Sequence, residues 1–270
     1  MLFFYVDSNT HENGVSHIDV IVSQFTKQAV PFSQMAQHSN HDGLGLMFEL
    51  SDPQIEDNIL DVACGTGIIT CEFAYRVNHV TGIDITPAMI AEAKNLQKER
   101  KIDNVDWKLG DVTRLPFKDD SFSLVVTRYS FHHLIQPKQV LEEMKRVCKP
   151  NGKILIIDVT PDKDKIEAYN HVEKLRDSSH VGALTFDTLK RLMHDSGLVK
   201  LKYKHHELEM GLENILKSSF PNPDDIPTIR QLFKKDVLID NLGMKSHMKN
   251  GEIYFYFPVS MIIGMKINSY

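Results

Sequence analysis

The chain has 270 residues, 42% of them hydrophobic, and a formal net charge of -5, which is enough apolar material for a full core in one large domain or one domain with a cap. The second reading is taken here. The acidic balance and a sequence pI near 6.2 argue against a broad phosphate-binding face, so small molecules are better partners than nucleic acid.

Three cysteines, Cys64, Cys71 and Cys148, are too few for a disulfide framework, and none forms a CxxC pair. They read as reduced thiols. No apolar run reaches the roughly 18 residues of a membrane span, and the opening "MLFFYV" has no basic flank. The expectation is a cytoplasmic protein without a membrane span.

In chain order, residues 18–36 predict an amphipathic helix with Phe25, Gln28 and Phe32 on one face, a candidate lid over a donor and an acceptor. "HSNH" follows. His38 and His41 have helical metal spacing, but no third ligand is evident; a loop is the reading and no metal is expected. Short apolar strands are then predicted over 58–62, 79–84, 105–109, 124–127 and 153–158, with helices between them. One helix opens with Thr86 and Pro87, another near Pro137, with Val140, Leu141, Met144 and Val147 at helical spacing. After Asp158 come a charged helix, a second helix over "FDTLKRLMHDSGL", a strand over 199–205, a looser segment, and a last strand over 254–265. Such alternation predicts an α/β fold with a mostly parallel sheet and helices on both faces. The domain reading is 1–50 as lid, 51–206 as ligand-binding core, and 207–270 as helical cap insert plus the final strand.

The chemistry concentrates at "ILDVACGTGIIT", residues 59–70, where an apolar strand enters a glycine turn and a helix. Gly65 and Gly67 allow a ligand to approach the backbone closely. A nicotinamide site wants G-x-G-x-x-G, and here the third glycine is absent; there is no GxxxxGK[ST] loop either. Asp61 sits where a phosphate is repelled and an ammonium is welcome. Asp84 ends the next strand and suits vicinal ribose hydroxyls, while Asp111 follows the third and can accept from an exocyclic amine. Together these acids describe an adenosine that carries an amino acid, as in S-adenosylmethionine. An NAD-linked oxidoreductase on a similar sheet, or a module that binds this donor without transferring anything, are the alternatives.

At these residues the sequence resembles the class I S-adenosylmethionine-dependent methyltransferases, and within them the ubiquinone/menaquinone-biosynthesis group. "ILDVACGTG", "VTGIDITPAMIAEAK", "GDVTRLPFKDDSFSLVVTRYSFHHL" and "VLEEMKRVCKPNGKILIIDV" follow the family's motifs in order, over about 25–197. Ala63 departs from the pattern, standing at its first glycine. The resemblance implies a Rossmann-like seven-stranded sheet with an antiparallel last strand. It also implies methionine binding by backbone at Ala63 and near Arg128, adenosine flanked by Ile85 and Met89, and adenine reached by the Val112 N–H. S-adenosyl-L-methionine is then the donor and S-adenosyl-L-homocysteine the product.

Beyond the strand ends, "RYSFHH" supplies Tyr129, His132 and His133, Asp158 ends the fifth strand, and "KLRDSSH" adds Arg176 and His180. The resemblance puts this rim beside the methyl group. His133 or His180 is the expected base, with Tyr129 a further catalytic candidate. Phe25, Gln28, Phe32, His132, Asp158 and Arg176 are expected around the acceptor. Residues 207–251 are expected to cover it, and Phe220, Phe233, Leu238 and Met244 suggest a partly apolar or aromatic molecule, methylated on O, N or C. A monomer or homodimer is expected.

Overall fold

The computed structural model describes residues 15–36 and 41–267. Two helices, α1 (His17–Ala36) and α2 (His41–Ser51), precede the sheet. The alternating core follows: β1 (Asn58–Val62), α3 (Ile68–Ala74), β2 (His79–Asp84), α4 (Pro87–Glu99), β3 (Val105–Leu109), β4 (Phe122–Arg128), a 3-10 turn (Phe131–His133), α5 (Pro137–Val147) and β5 (Cys148–Val159). The chain ends with α6 (Ile166–Arg176), α7 (Phe186–Asp195), β6 (Leu198–Gly211), α8 (Leu212–Ser219), α9 (Ile226–Ile239), β7 (His247–Lys249) and β8 (Glu252–Lys266). His38 lies outside the described residues.

The sheet runs β3-β2-β1-β4-β5-β8-β6, with short β7 paired to β8 as an eighth strand. β1 to β5 pair in parallel, whereas β8 is antiparallel to both β5 and β6. This is the expected α/β, Rossmann-like arrangement with an antiparallel last strand. The strands are β-branched and aliphatic, and neighbours in sequence face opposite sides. Ile59, Val126 and Ile157 pack in one layer with Met47, Phe73 and Phe233, while Leu60, Val125 and Ile156 pack in the other with Leu141, Met144 and Met193. The four apolar positions read on α5 are all buried, and Pro137 is in its first turn.

Two strands are longer than their sequence suggested. β5 reaches back to Cys148, which pairs with Phe122 across a bulge. β6 continues to Gly211 because β8 offers it a partner along its whole length, Gly211 opposite Tyr254. Its run "KLKYKHHELE" hid this extension, since an edge strand can show charge on its open side. Among the named apolar residues of 207–251, Phe233 and Met244 are fully buried core, and Phe220 and Leu238 are exposed.

Strand order reverses between β1 and β4, which pair side by side with Val62 opposite Thr127. In open sheets a ligand crevice lies at the carboxyl ends of the strands at such a switch point.

Candidate active site

A cavity of about 610 Å³ opens there. Asp61, Asp84 and Asp111 all line it, with Ala63, Gly65, Ile85, Met89, Val112 and Arg128. The turn after β1 is built by backbone that most residues resist. Gly65 has φ +53 with nothing within 4 Å of a hypothetical Cβ, so its main chain is open to a ligand. Gly67 serves packing instead: it has φ +77, does not line the cavity, and an added Cβ would lie 2.4 Å from the Trp107 ring. Ala63 is also left-handed, at φ 55, where the family pattern has glycine.

The three acids are held differently. Asp61 is fully buried; Thr70 Oγ1 donates to its Oδ2 at 2.5 Å, and Oδ1 has no partner. Burial pushes its pKa up to about 7, against the Thr70 hydrogen bond and the charge of Arg128. An orphaned carboxyl oxygen of this kind fits a cation. Asp84 braces the turn: Gly65 N–H donates to Oδ2 and Thr86 N–H to Oδ1, both at 2.8 Å. Burial still holds its carboxyl above the usual range. Each oxygen keeps a lone pair for a further donor. Asp111 folds back on its own turn, accepting from Thr113 N–H at 2.8 Å and Thr113 Oγ1 at 2.7 Å. Cys64 lines the cavity, but burial beside Asp61 and Asp84 pushes its thiol pKa well up, so it is no nucleophile.

On the far side, Tyr129, His132, His133 and Arg176 reach the cavity, and so do Phe25 and Phe32 of α1. His132 Nδ1 donates to Asp158 Oδ1 at 2.6 Å; the same carboxyl also accepts from the Phe131 and Val159 N–H groups. Asp158 therefore does not line the cavity but orients His132, whose Nε2 is left as the basic atom. Burial lowers the imidazole pKa, yet Asp158, with Glu173 and Asp177 behind it, overrides this and leaves it raised.

The two expected bases fare otherwise. His133 lines the cavity, but burial and the adjacent His132 press it down to about 4. Its Nδ1 meets Ser179 Oγ at 3.0 Å, and Ser179 in turn donates to Asp177. His180 does not line the cavity: its Nε2 faces Asn170 Oδ1 at 2.9 Å, and burial drives it to about 2. Gln28 also sits off the cavity, donating to Asp177 Oδ2 at 2.9 Å and Ser219 O at 3.2 Å. It tethers α1 rather than touching the space inside. His17 adds a second tether through Nε2 to His133 O at 2.8 Å, and the Phe25 ring stands edge-on to His133 at 4.9 Å.

Sequence reasoning missed Tyr169 and Glu173, which line the cavity with Arg176. Their spacing, 169-173-176, puts all three on one face of a helix that follows a central strand. That periodicity was the available signal. Also missed were Ile21 at the start of α1 and Leu208, Met210 and Phe257 from the antiparallel pair β6 and β8. Among the described residues, no cluster of His, Cys, Asp or Glu is arranged for a metal ion, and no helix is long and apolar enough to cross a membrane.

Residues 60–156 match a family model described as a methyltransferase domain. The chain is 32% identical over 159 residues to the methyltransferase YcgJ of Bacillus subtilis, covering 58% of this chain and 63% of that protein. It is 33% identical over 115 residues to the ubiquinone/menaquinone biosynthesis C-methyltransferase UbiE of a Ruegeria species, covering 42% and 46%. The matched stretches thus span less than two thirds of these relatives' lengths. The crystal structure of the Bacillus YcgJ protein superposes with a TM-score of 0.77 at 25% identity, covering 85% of this chain and all of that one. A putative methyltransferase of Bacillus halodurans superposes at 0.75 with 23% identity, covering 84% and 99%. Sheet order, acid-lined glycine turn and the match over residues 60–156 agree on a methyltransferase domain with a Rossmann-like α/β fold.

Proposed function

We propose that the protein transfers a methyl group from S-adenosylmethionine to a small molecule. The observation that carries this reading is the convergence of Asp61, Asp84 and Asp111 on one cavity, with Asp61 Oδ1 buried and unpartnered inside it. A pyrophosphate there would lie against an uncompensated acid, whereas an ammonium relieves it. Asp61 would hold the amino group, Asp84 the ribose hydroxyls, Asp111 and Val112 the adenine edge, with Ile85 and Met89 against its faces. When bound, the donor supplies an electrophilic methyl on a sulfonium.

What the chain then does is align the acceptor, exclude water and manage a proton. α1 covers the cavity with Phe25 and Phe32, pinned by His17, Gln24 and Gln28 to the opposite wall. His132 Nε2 takes a proton from an acidic acceptor, and Asp158 fixes the tautomer and favours the imidazolium that forms. In this reading the base is His132, with His133 a neutral wall residue and His180 structural.

Isothermal titration with S-adenosylhomocysteine tests the donor half. Micromolar-range binding is expected for the wild type and its loss in Asp84→Ala, which removes the ribose contacts and unbraces Gly65. Absence of binding by the wild type ends the proposal. Labelled-donor transfer to a panel of phenols, amines and thiols separates an enzyme from a binding module.

A further inference from the structure

The two halves of the cavity spend their charges differently. On the acceptor side, Glu173 accepts from Arg176 Nε at 3.0 Å and Nη2 at 2.6 Å, a buried bidentate pair that neutralises the guanidinium. Asp177 accepts at Oδ1 from Ser179 and at Oδ2 from Gln28. Asp158 accepts at Oδ1 from His132 and at Oδ2 from the Phe131 N–H. Every carboxyl oxygen of these three acids is therefore engaged. On the donor side, Asp61 Oδ1 is not.

Among the cavity-lining side chains of the acceptor side, one hydroxyl is buried without a partner. Tyr169 is fully buried and lines the cavity, and its hydroxyl has no partner. Burial and the neighbouring Glu173 push its pKa well up, so it stays a neutral donor. A hydroxyl removed from water and left unpaired is costly, and a ligand atom that pairs with it recovers that cost. Leu208, Met210, Ile215 and Phe257, which belong to or pack against the apolar cluster that contains Tyr169, also line the cavity.

Resting on the methyl-transfer reading above, we propose that Tyr169 is the polar anchor of the acceptor, pairing with a neutral oxygen of an uncharged, largely apolar molecule whose body packs on the paired strands β6 and β8. A phosphate ester or carboxylate meets a guanidinium already neutralised and three acids around it. An ammonium meets carboxyl oxygens that each already accept from a protein donor, those of Glu173 from the Arg176 cation. The acceptor is thereby selected by one hydrogen bond and apolar area rather than by charge.

The experiment measures binding of a para-substituted phenol series to the protein saturated with S-adenosylhomocysteine. The substituents are acyl, alkyl, carboxylate, phosphate ester and aminomethyl, which is an ammonium at neutral pH. Expected is tightest binding of the acylphenol, about tenfold over the alkylphenol that lacks the second oxygen and about a hundredfold over the three charged analogues. Tyr169→Phe should erase the tenfold preference for acyl over alkyl while leaving S-adenosylhomocysteine affinity unchanged. Preferred binding of a charged analogue, no binding of any of the five, or a Tyr169→Phe variant that keeps the acyl preference overturns the proposal. The comparison of acyl with alkyl on the wild type stands even where the variant folds poorly. Failure of S-adenosylhomocysteine to bind at all sinks the methyl-transfer reading, a separate result.

Discussion

Asp61→Asn is expected to make the ligand-free protein more stable and functionally useless. The side chain is completely buried, one oxygen has no partner, and its pKa is pushed up to about 7 from an ordinary 3.8. A carboxyl whose folded pKa is raised binds its proton more tightly folded than unfolded, so its contribution to stability falls as pH rises from the unfolded pKa to the folded one. Three pKa units correspond to about 4 kcal/mol lost by pH 8, and under half of that by pH 5. Asparagine can still accept from Thr70 and carries no charge, so the variant escapes most of this penalty. Urea unfolding without ligand, at both pH values, reads the difference. The variant should gain about 2–4 kcal/mol at pH 8, with the gap shrinking toward pH 5, while S-adenosylhomocysteine binding is lost. Equal stability of the two proteins at pH 8, or a gap independent of pH, would show that the buried carboxyl is not an uncompensated charge.

Three other outcomes follow from the same geometry. Ala63→Gly relieves a left-handed residue at φ 55; the steric gain of about 1–2 kcal/mol outweighs glycine's entropy cost, and thermal unfolding should shift up by about 1–3 °C. Gly67→Ala drives a methyl into Trp107, which is pinned by Nε1 donating to Gln97 at 2.7 Å; a loss of about 2–4 kcal/mol in denaturant unfolding is expected. Asp158→Asn removes the charge that raises the His132 pKa; the acid limb of the pH–rate profile should move to lower pH and the plateau should drop about tenfold to a hundredfold. An unchanged acid limb would show that another group carries the titration.

Much of the donor half was legible in sequence because it is local. A strand, a glycine turn and a helix start fix Asp61, Gly65 and Asp84 relative to their own backbone, and strand alternation then brings consecutive tips to one edge. The acceptor half was not, because its residues come from elements far apart in the chain. His132, His133 and His180 look equivalent in the string of residues. Only packing separates them, giving His132 a buried carboxyl at 2.6 Å, His133 a hydroxyl, and His180 an amide outside the cavity. The same holds for Gln28, whose place on the apolar face of α1 was readable but whose partner, Asp177, lies 149 residues away.

The amino-acid sequence by itself determined the alternating α/β order, the two core layers and the acid-glycine-acid series, since each follows from periodicity and turn chemistry within a few residues. The tertiary structure alone decided which acids remain unpaired, which histidine gains a carboxylate, and that Tyr169 faces the cavity with nothing to bond. Those are properties of the space between elements, where burial and the supply of partners set charge and protonation, and no local rule of spacing contains them.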